Sequence, residues 1–199
     1  MAVQLKASDS FITILTKVKS VKTIILCEGS SDAETLKSLA RRLGLKLDNT
    51  VITDTEGIDV LTKKFLPSVL ALIIGKVVSR SKPIATIIDA DRASPQEKIR
   101  NLANSIEARE YRILENKPVC NNVWSLKVRR GDDEIPIFVA VNGVFQEPFS
   151  TFETHELEDH FAYLKLLENK LTREDVLRAK RARELVTPDD LELLNNANI

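Results

Sequence analysis

The chain has 199 residues, 43% of them apolar and 29% charged, enough for one well-buried core with a small appendage. Lysine plus arginine number 29 and so do aspartate plus glutamate, so no net positive charge draws in nucleic acid, and any such binding would come from local basic patches. Cys27 and Cys120 form neither a disulfide framework nor a metal spacing, no N-terminal signal peptide is visible, and the longest apolar stretch, 69–78, is too short to span a bilayer; a cytoplasmic protein without membrane contact is expected.

Residues 8–20 predict a short amphipathic helix, although their β-branched content also suits a strand. Ile24-Ile25-Leu26-Cys27 reads as a buried strand of a parallel sheet, with Cys27 as a small buried hydrophobe. It runs straight into Glu28-Gly29-Ser30-Ser31-Asp32. The spacing of Ser31 and Glu34 predicts a capping box opening a helix over 31–43, with the stripe Leu36, Leu39, Ala40, Leu43 and a stop at Gly44. Val51-Ile52-Thr53 is a second short strand. Gly57-Ile58-Asp59 opens a second helix through Leu70, which Pro67 is expected to break or kink.

Ile84 to Ile88 is the next strand, ending in Asp89-Ala90-Asp91. Ser94-Pro95-Gln96-Glu97 then carries a cap, a proline at the first helical position and a glutamate three after the cap, starting a helix to about Arg109. This alternation predicts a doubly wound α/β domain, its mainly parallel sheet flanked by helices. From Val123 the pattern changes to a hairpin, 123–128 and 135–141 about the turn 130–133, with Pro136 implying an edge position or a late strand start. Helices follow over 156–168 and 172–185, then a turn capped by Thr187-Pro188-Asp189-Asp190, with Leu191 and Leu194 beyond it. The expected division is an α/β domain over 1–165, its core about 20–160, and a helical extension over 166–199 packed on that core or on a partner.

Ligands of open α/β sheets sit beyond the carboxyl ends of the strands. If the two strands are neighbours, Glu28, Asp89 and Asp91 meet at one edge. Two carboxylates about 4 Å apart repel by about 4 kcal/mol at an effective dielectric of about 20, and protonation or a divalent cation would relieve that. Asp89 and Asp91 are two apart on an extended segment and point the same way, so both can face one ion. Magnesium suits such an all-oxygen set. Asp32 lies four after Glu28 and can turn toward the same cation, or simply cap the helix with Ser31; both readings stand. Gly29, Ser30 and Ser31 form a natural phosphate-binding position at the helix N-terminus. Arg92 abuts the acids and Lys82 lies in the loop leading into the second strand, making them the better phosphate contacts among the basic groups. A third acidic cluster, His155-Glu156-Leu157-Glu158-Asp159-His160, is equally readable as a charged helix start; helical spacing groups Glu156, Asp159 and His160 and sets Glu158 apart. Its histidines are i, i+5, against zinc. Gly75-Lys76 lacks the upstream glycine of a P-loop, so no intrinsic ATPase is expected.

Glu28-Gly29 after a strand, Gly57 between, and Asp89-Ala90-Asp91 after a later strand together resemble the TOPRIM domain, the magnesium-dependent Rossmann-like fold of topoisomerases, bacterial primases, recombination proteins and certain nucleases. Within that group, the E-G-x-S-D run, a D-A-D without a following glycine and the late Leu157-Glu158-Asp159 look most like the overcoming-lysogenization-defect (OLD) nucleases and small stand-alone relatives. The resemblance covers roughly residues 20–160. It implies Glu28 as metal ligand or general acid/base, Asp89 and Asp91 as metal ligands, and Asp32 and Glu158 as supporting acids, around one or two Mg²⁺ or Mn²⁺ ions. It implies metal-dependent phosphodiester hydrolysis or transfer on DNA or RNA. The chain departs from the group in having no fused ATPase, and Tyr111 and Tyr163 stand in no recognisable nucleophile setting. A second reading is a non-catalytic metal-binding module that works with a separate ATPase or repair complex, and a homo-oligomer is compatible with either.

Overall fold

β-branched runs and capped amphipathic segments alternate along the first half of the chain, and they assemble into one seven-stranded sheet in the order β1-β3-β2-β4-β7-β6-β5. The computed structural model describes residues 3–6, 8–78, 82–187 and 189–190. Leu191 and Leu194, and Pro188 of the expected terminal cap, lie outside the described residues. The strands are β1 (Val3–Leu5), β2 (Thr23–Cys27), β3 (Thr50–Asp54), β4 (Ile84–Asp89), β5 (Arg112–Cys120), β6 (Val123–Arg130) and β7 (Asp133–Asn142). β1, β3, β2, β4 and β7 pair in parallel, while β7, β6 and β5 form an antiparallel meander. Thus the fold is α/β with a mostly parallel sheet flanked by helices.

Because side chains alternate across the pleat, neighbouring residues of one strand feed opposite cores. Ile24 and Leu26 of β2 join Val51, Ile84 and Ile88 beneath α1 (Phe11–Lys19), α4 (Leu66–Ile74) and α5 (Pro95–Glu107). Ile25 and Cys27 join Ile52 and Ile87 beneath α2 (Ser30–Arg42), which contributes Ala33 and Leu36. Residues 8–20 are helical over α1, where the Ser10 hydroxyl accepts from the Thr13 amide. The expected break at Pro67 takes a different form. Short α3 (Ile58–Val60) continues through a π-helical stretch, Leu61–Phe65, directly into α4. Proline removes an amide and crowds the carbonyl four residues back. Here that carbonyl is on Lys63, inside the wider π turn, and it accepts from Arg109 Nη2 at 3.2 Å.

Pro136 is not at the edge of the sheet. It pairs with Lys127 on β6, while the β4 pairing begins one residue later at Ile137, so the missing amide breaks no ladder bond on that side. β1 and β5 were not among the expected strands. The C-terminal part is shorter in helix than expected, with α6 (Glu158–Leu167), α7 (Arg173–Arg178) and a 3₁₀ turn at Ala182–Glu184. Ala162, Val176, Ala179 and Ala182 share a small core with Val144, Phe149 and Phe152. This second packing unit draws on residues from Val144 to Val186, and its α6 carries Glu158 to the carboxyl edge of the sheet.

Candidate functional site

β2 and β4 are parallel neighbours, their last paired residues being Cys27 and Ile87, so both release their acids at one edge. Glu28 Oε2 accepts from the Asp89 amide at 3.1 Å. Beneath them the β3–α3 loop fixes the end of β2: Thr55 Oγ1 donates to the Cys27 carbonyl at 2.9 Å and the Gly57 amide to the Glu28 carbonyl at 2.8 Å. Gly57 needs its glycine there, with φ at +117°. On the other flank Asn142, the last residue of β7, stands opposite Asp89 in register. Its amide nitrogen donates to Asp32 Oδ1 at 2.8 Å and to Asp89 Oδ1 at 3.1 Å, tying the two carboxylates together. Asp32 takes its expected capping role, since Oδ2 accepts from the Gly29 amide at 3.0 Å and closes the helix cap. The cap is accordingly Gly29 with Asp32, two residues earlier than Ser31 with Glu34, and Glu34 instead meets Lys37 at 2.6 Å.

Burial and mutual repulsion hold protons on this cluster. The Asp89 carboxyl is pushed up to about 8, first by burial and then by Asp32, Glu28 and Glu158, against the pull of Asn142. Asp32 rises to about 6 through burial, with Glu28 and Glu158 adding to it and the Gly29 amide opposing. Glu28 is raised chiefly by burial, opposed by its bond from Asp89 and by Lys98. Glu158, in the first turn of α6 and only 8% exposed, thus acts on the same carboxylates. Sequence spacing sets Glu158 apart from its neighbours, and the structure turns it inward. The other members of that segment serve the scaffold. Asp159 is fully buried and accepts from His155 Nδ1 at 2.8 Å and from the Val144 amide at 3.0 Å. Glu156 meets Arg183 Nε at 2.5 Å, and the same guanidinium lies 3.3 Å from Glu158. His160 Nε2 accepts from the Gly143 amide at 3.3 Å.

Asp91 is held differently from the rest. Its backbone is left-handed, φ +53°, and exchanges two hydrogen bonds with His155, at 2.8 and 2.7 Å. Its carboxylate is ion-paired with Lys98 of α5. Beside it opens a cavity of about 450 Å³ lined by Arg92, Lys98 and Arg100 among others. Arg92 therefore stays next to the acids, and Ser30 and Ser31 stand exposed at the start of α2. Lys82 does not. It lies at the opposite end of β4, where its ammonium donates to the carbonyls of Val18, Lys19 and Val21 and closes the C-terminus of α1. The expected phosphate contact at Lys82 is thereby corrected: the residue starts the strand whose far end carries the site.

Asn142 and Lys98 are site residues that spacing arguments missed. Asn142 had a signal, because a polar residue followed by glycine after an apolar run repeats the pattern of Glu28-Gly29. Among the described residues no three His, Cys, Asp or Glu side chains already stand in a metal-holding arrangement. The donor chemistry nonetheless fits a hard divalent cation: Glu28, Asp32, Asp89 and Glu158 are all oxygen donors, and burial, with repulsion from its neighbours, keeps Asp89 protonated near neutrality while raising Asp32 to about 6. No described helix is long and apolar enough to cross a membrane. Compared with protein-family models, with curated proteins and with solved structures, the chain matches none.

Proposed function

We propose that the protein is a small TOPRIM-type phosphodiesterase that cleaves DNA or RNA with Mg²⁺ or Mn²⁺. One observation carries the reading: Glu28, Asp32, Asp89 and Glu158, from three separate segments, meet at the carboxyl edge of the sheet, where Glu28 and Glu158 raise the proton affinity of both Asp32 and Asp89. Glu28, Asp89 and Asp32 would hold the cation, with Glu158 completing the field around it. When bound, the ion supplies Lewis-acid polarisation and neutralises charge developing on the phosphoryl oxygens. Glu28, kept above the usual carboxylate range by burial, takes the proton of the attacking water. Gly29, Ser30, Ser31 and Arg92 receive the phosphate, using helix-terminal amides and a guanidinium. Lys98 fixes Asp91 and adds a positive charge beside the scissile group.

The test is cleavage of single- and double-stranded DNA and RNA in Mn²⁺. Wild type should cut, and Asp89→Ala or excess chelator should abolish cutting; full activity in either would sink the proposal. A second reading, a module that binds the ion without turnover, is favoured by the Lys98 ammonium already on Asp91. Calorimetry with Mg²⁺ beside the cleavage assay separates the two, since only the module binds without cutting.

A further inference from the structure

Two open cavities of about 450 Å³ each flank the acid cluster, and they differ in chemistry. The one beside Asp91 is charged: Arg92, Lys98 and Arg100 line it against the carboxylates of Asp91 and Glu97, which pair with Lys98 and Arg100 and leave Arg92 as the excess cation. The other begins at Gly143, the residue after Asn142, and is lined by Asn121, Asn122, Phe145, Gln146, His160 and Tyr163. It contains no charged carboxylate, ammonium or guanidinium. A phosphate would find no cation there. A flat neutral ring would find amides that donate and accept, beside two aromatic rings.

Both cavities share one built wall. Asp91 is bridged to His155 through its backbone, and His155 lies so close to Gly143 that a Cβ at that position would come within 2.7 Å of the His155 Cβ. Several groups of the wall are held in place. Asn122 Nδ2 donates to the Gly143 carbonyl at 3.1 Å, His160 Nε2 accepts from the Gly143 amide at 3.3 Å, and Phe145 rests against the His155 ring at 4.4 Å. Because Nε2 accepts, a neutral His160 ring carries its proton on Nδ1 as a donor. The exposed amides of Asn121 and Gln146 are left to read a ligand edge.

Resting on the phosphodiesterase reading above, we infer that the Asn121–Tyr163 cavity is a nucleobase subsite: it takes one unpaired base while the Arg92 cavity holds the adjoining phosphates across the acid cluster. Unpaired bases are recognised in this way, by aromatic faces and by amides on their hydrogen-bonding edges, whereas a paired base keeps that edge for its partner. The substrate class is therefore single-stranded, or a strand end or flap, in preference to intact duplex.

The experiment is fluorescence anisotropy of the full chain in Ca²⁺ with two labelled single strands of equal length, one carrying bases and one abasic. Wild type should bind the strand with bases about tenfold more tightly, the scale of one stacked and hydrogen-bonded base. Asn121→Ala/Gln146→Ala should reduce that preference to the share that stacking on the aromatic rings supplies. Both positions are exposed, and circular dichroism checks that the variant is folded. Equal binding of the two strands by wild type, or an undiminished preference in the variant, would overturn the subsite. Failure of the phosphodiesterase reading would show elsewhere, as a wild type that never cuts in Mn²⁺ whichever strand it binds.

Discussion

The two ends of β4 make the clearest contrast in the molecule. Before its first residue, Lys82 places one ammonium against three carbonyls at the end of α1. Three donors meet three acceptors, and nothing there asks for a further ligand. Past its last residues, Asp89 sits among Asp32, Glu28 and Glu158 with one neutral amide, Asn142, as the donor between Asp32 and Asp89. The same strand thus ends in a satisfied cation at one edge and in a deficit of positive charge at the other. A charged residue near a strand end is a functional candidate only when its partners fall short.

That contrast can be broken by substitution. The largest effect belongs to Asp89→Ala, which should lower metal-dependent cleavage by more than about 100-fold, beyond what loss of a supporting contact does. Next comes Asn142→Ala, which leaves Asp32 and Asp89 facing each other without their shared donor. Calorimetry should record a loss in Mg²⁺ affinity of about 10–100-fold, the usual cost of removing a group that orients metal ligands. An unchanged affinity would show that Asn142 only braces the sheet edge.

Lys82→Ala sharpens the comparison from the other side. It strands three carbonyls at the end of α1, so the expected cost is about 1–3 kcal/mol, a melting temperature lower by about 2–10 °C, with Mg²⁺ affinity retained. A large loss of metal affinity with intact folding would mean that the two edges are coupled after all.

The same repulsion predicts a pH slope in the metal-free protein. Two carboxyls of the cluster move furthest upward from an ordinary value of 3.8, Asp32 to about 6 and Asp89 to about 8. The folded chain therefore keeps protons that the unfolded chain has released. Their cost to stability is absent below about 3.8, grows as pH rises, and is complete above about 8. Thermal melts in chelator should fall between pH 5.5 and 8.5, and Mg²⁺ or Asp89→Asn should flatten the slope; a flat wild-type profile in chelator would contradict the repulsion.

Much of the fold was legible because its signals are local. The Ser94–Glu97 cap and the Gly44 stop, with φ at +65°, are decided within a few residues, and each appears as expected. The apolar runs before Glu28 and Asp89 are long enough to be buried strands whatever surrounds them. What escaped depends on distant partners. β1 has three residues and gains its identity only from β3. β5 is exposed along most of its length and carries little alternation, so it is a strand only because β6 pairs with it. Pro136 is tolerated next to β4 through a one-residue difference in register that no local pattern encodes. In the site, Glu28, Asp89 and Asp32 were legible as carboxylates after strands. Lys82 was misplaced because a strand has two ends, and residue type alone does not say which end a loop faces.

The most direct measurement is anomalous diffraction from crystals soaked in Mn²⁺. The account predicts a manganese peak among Glu28, Asp32 and Asp89, lost in Asp89→Asn. A well-occupied peak elsewhere with none at this edge, or no peak at any Mn²⁺ concentration, would contradict it.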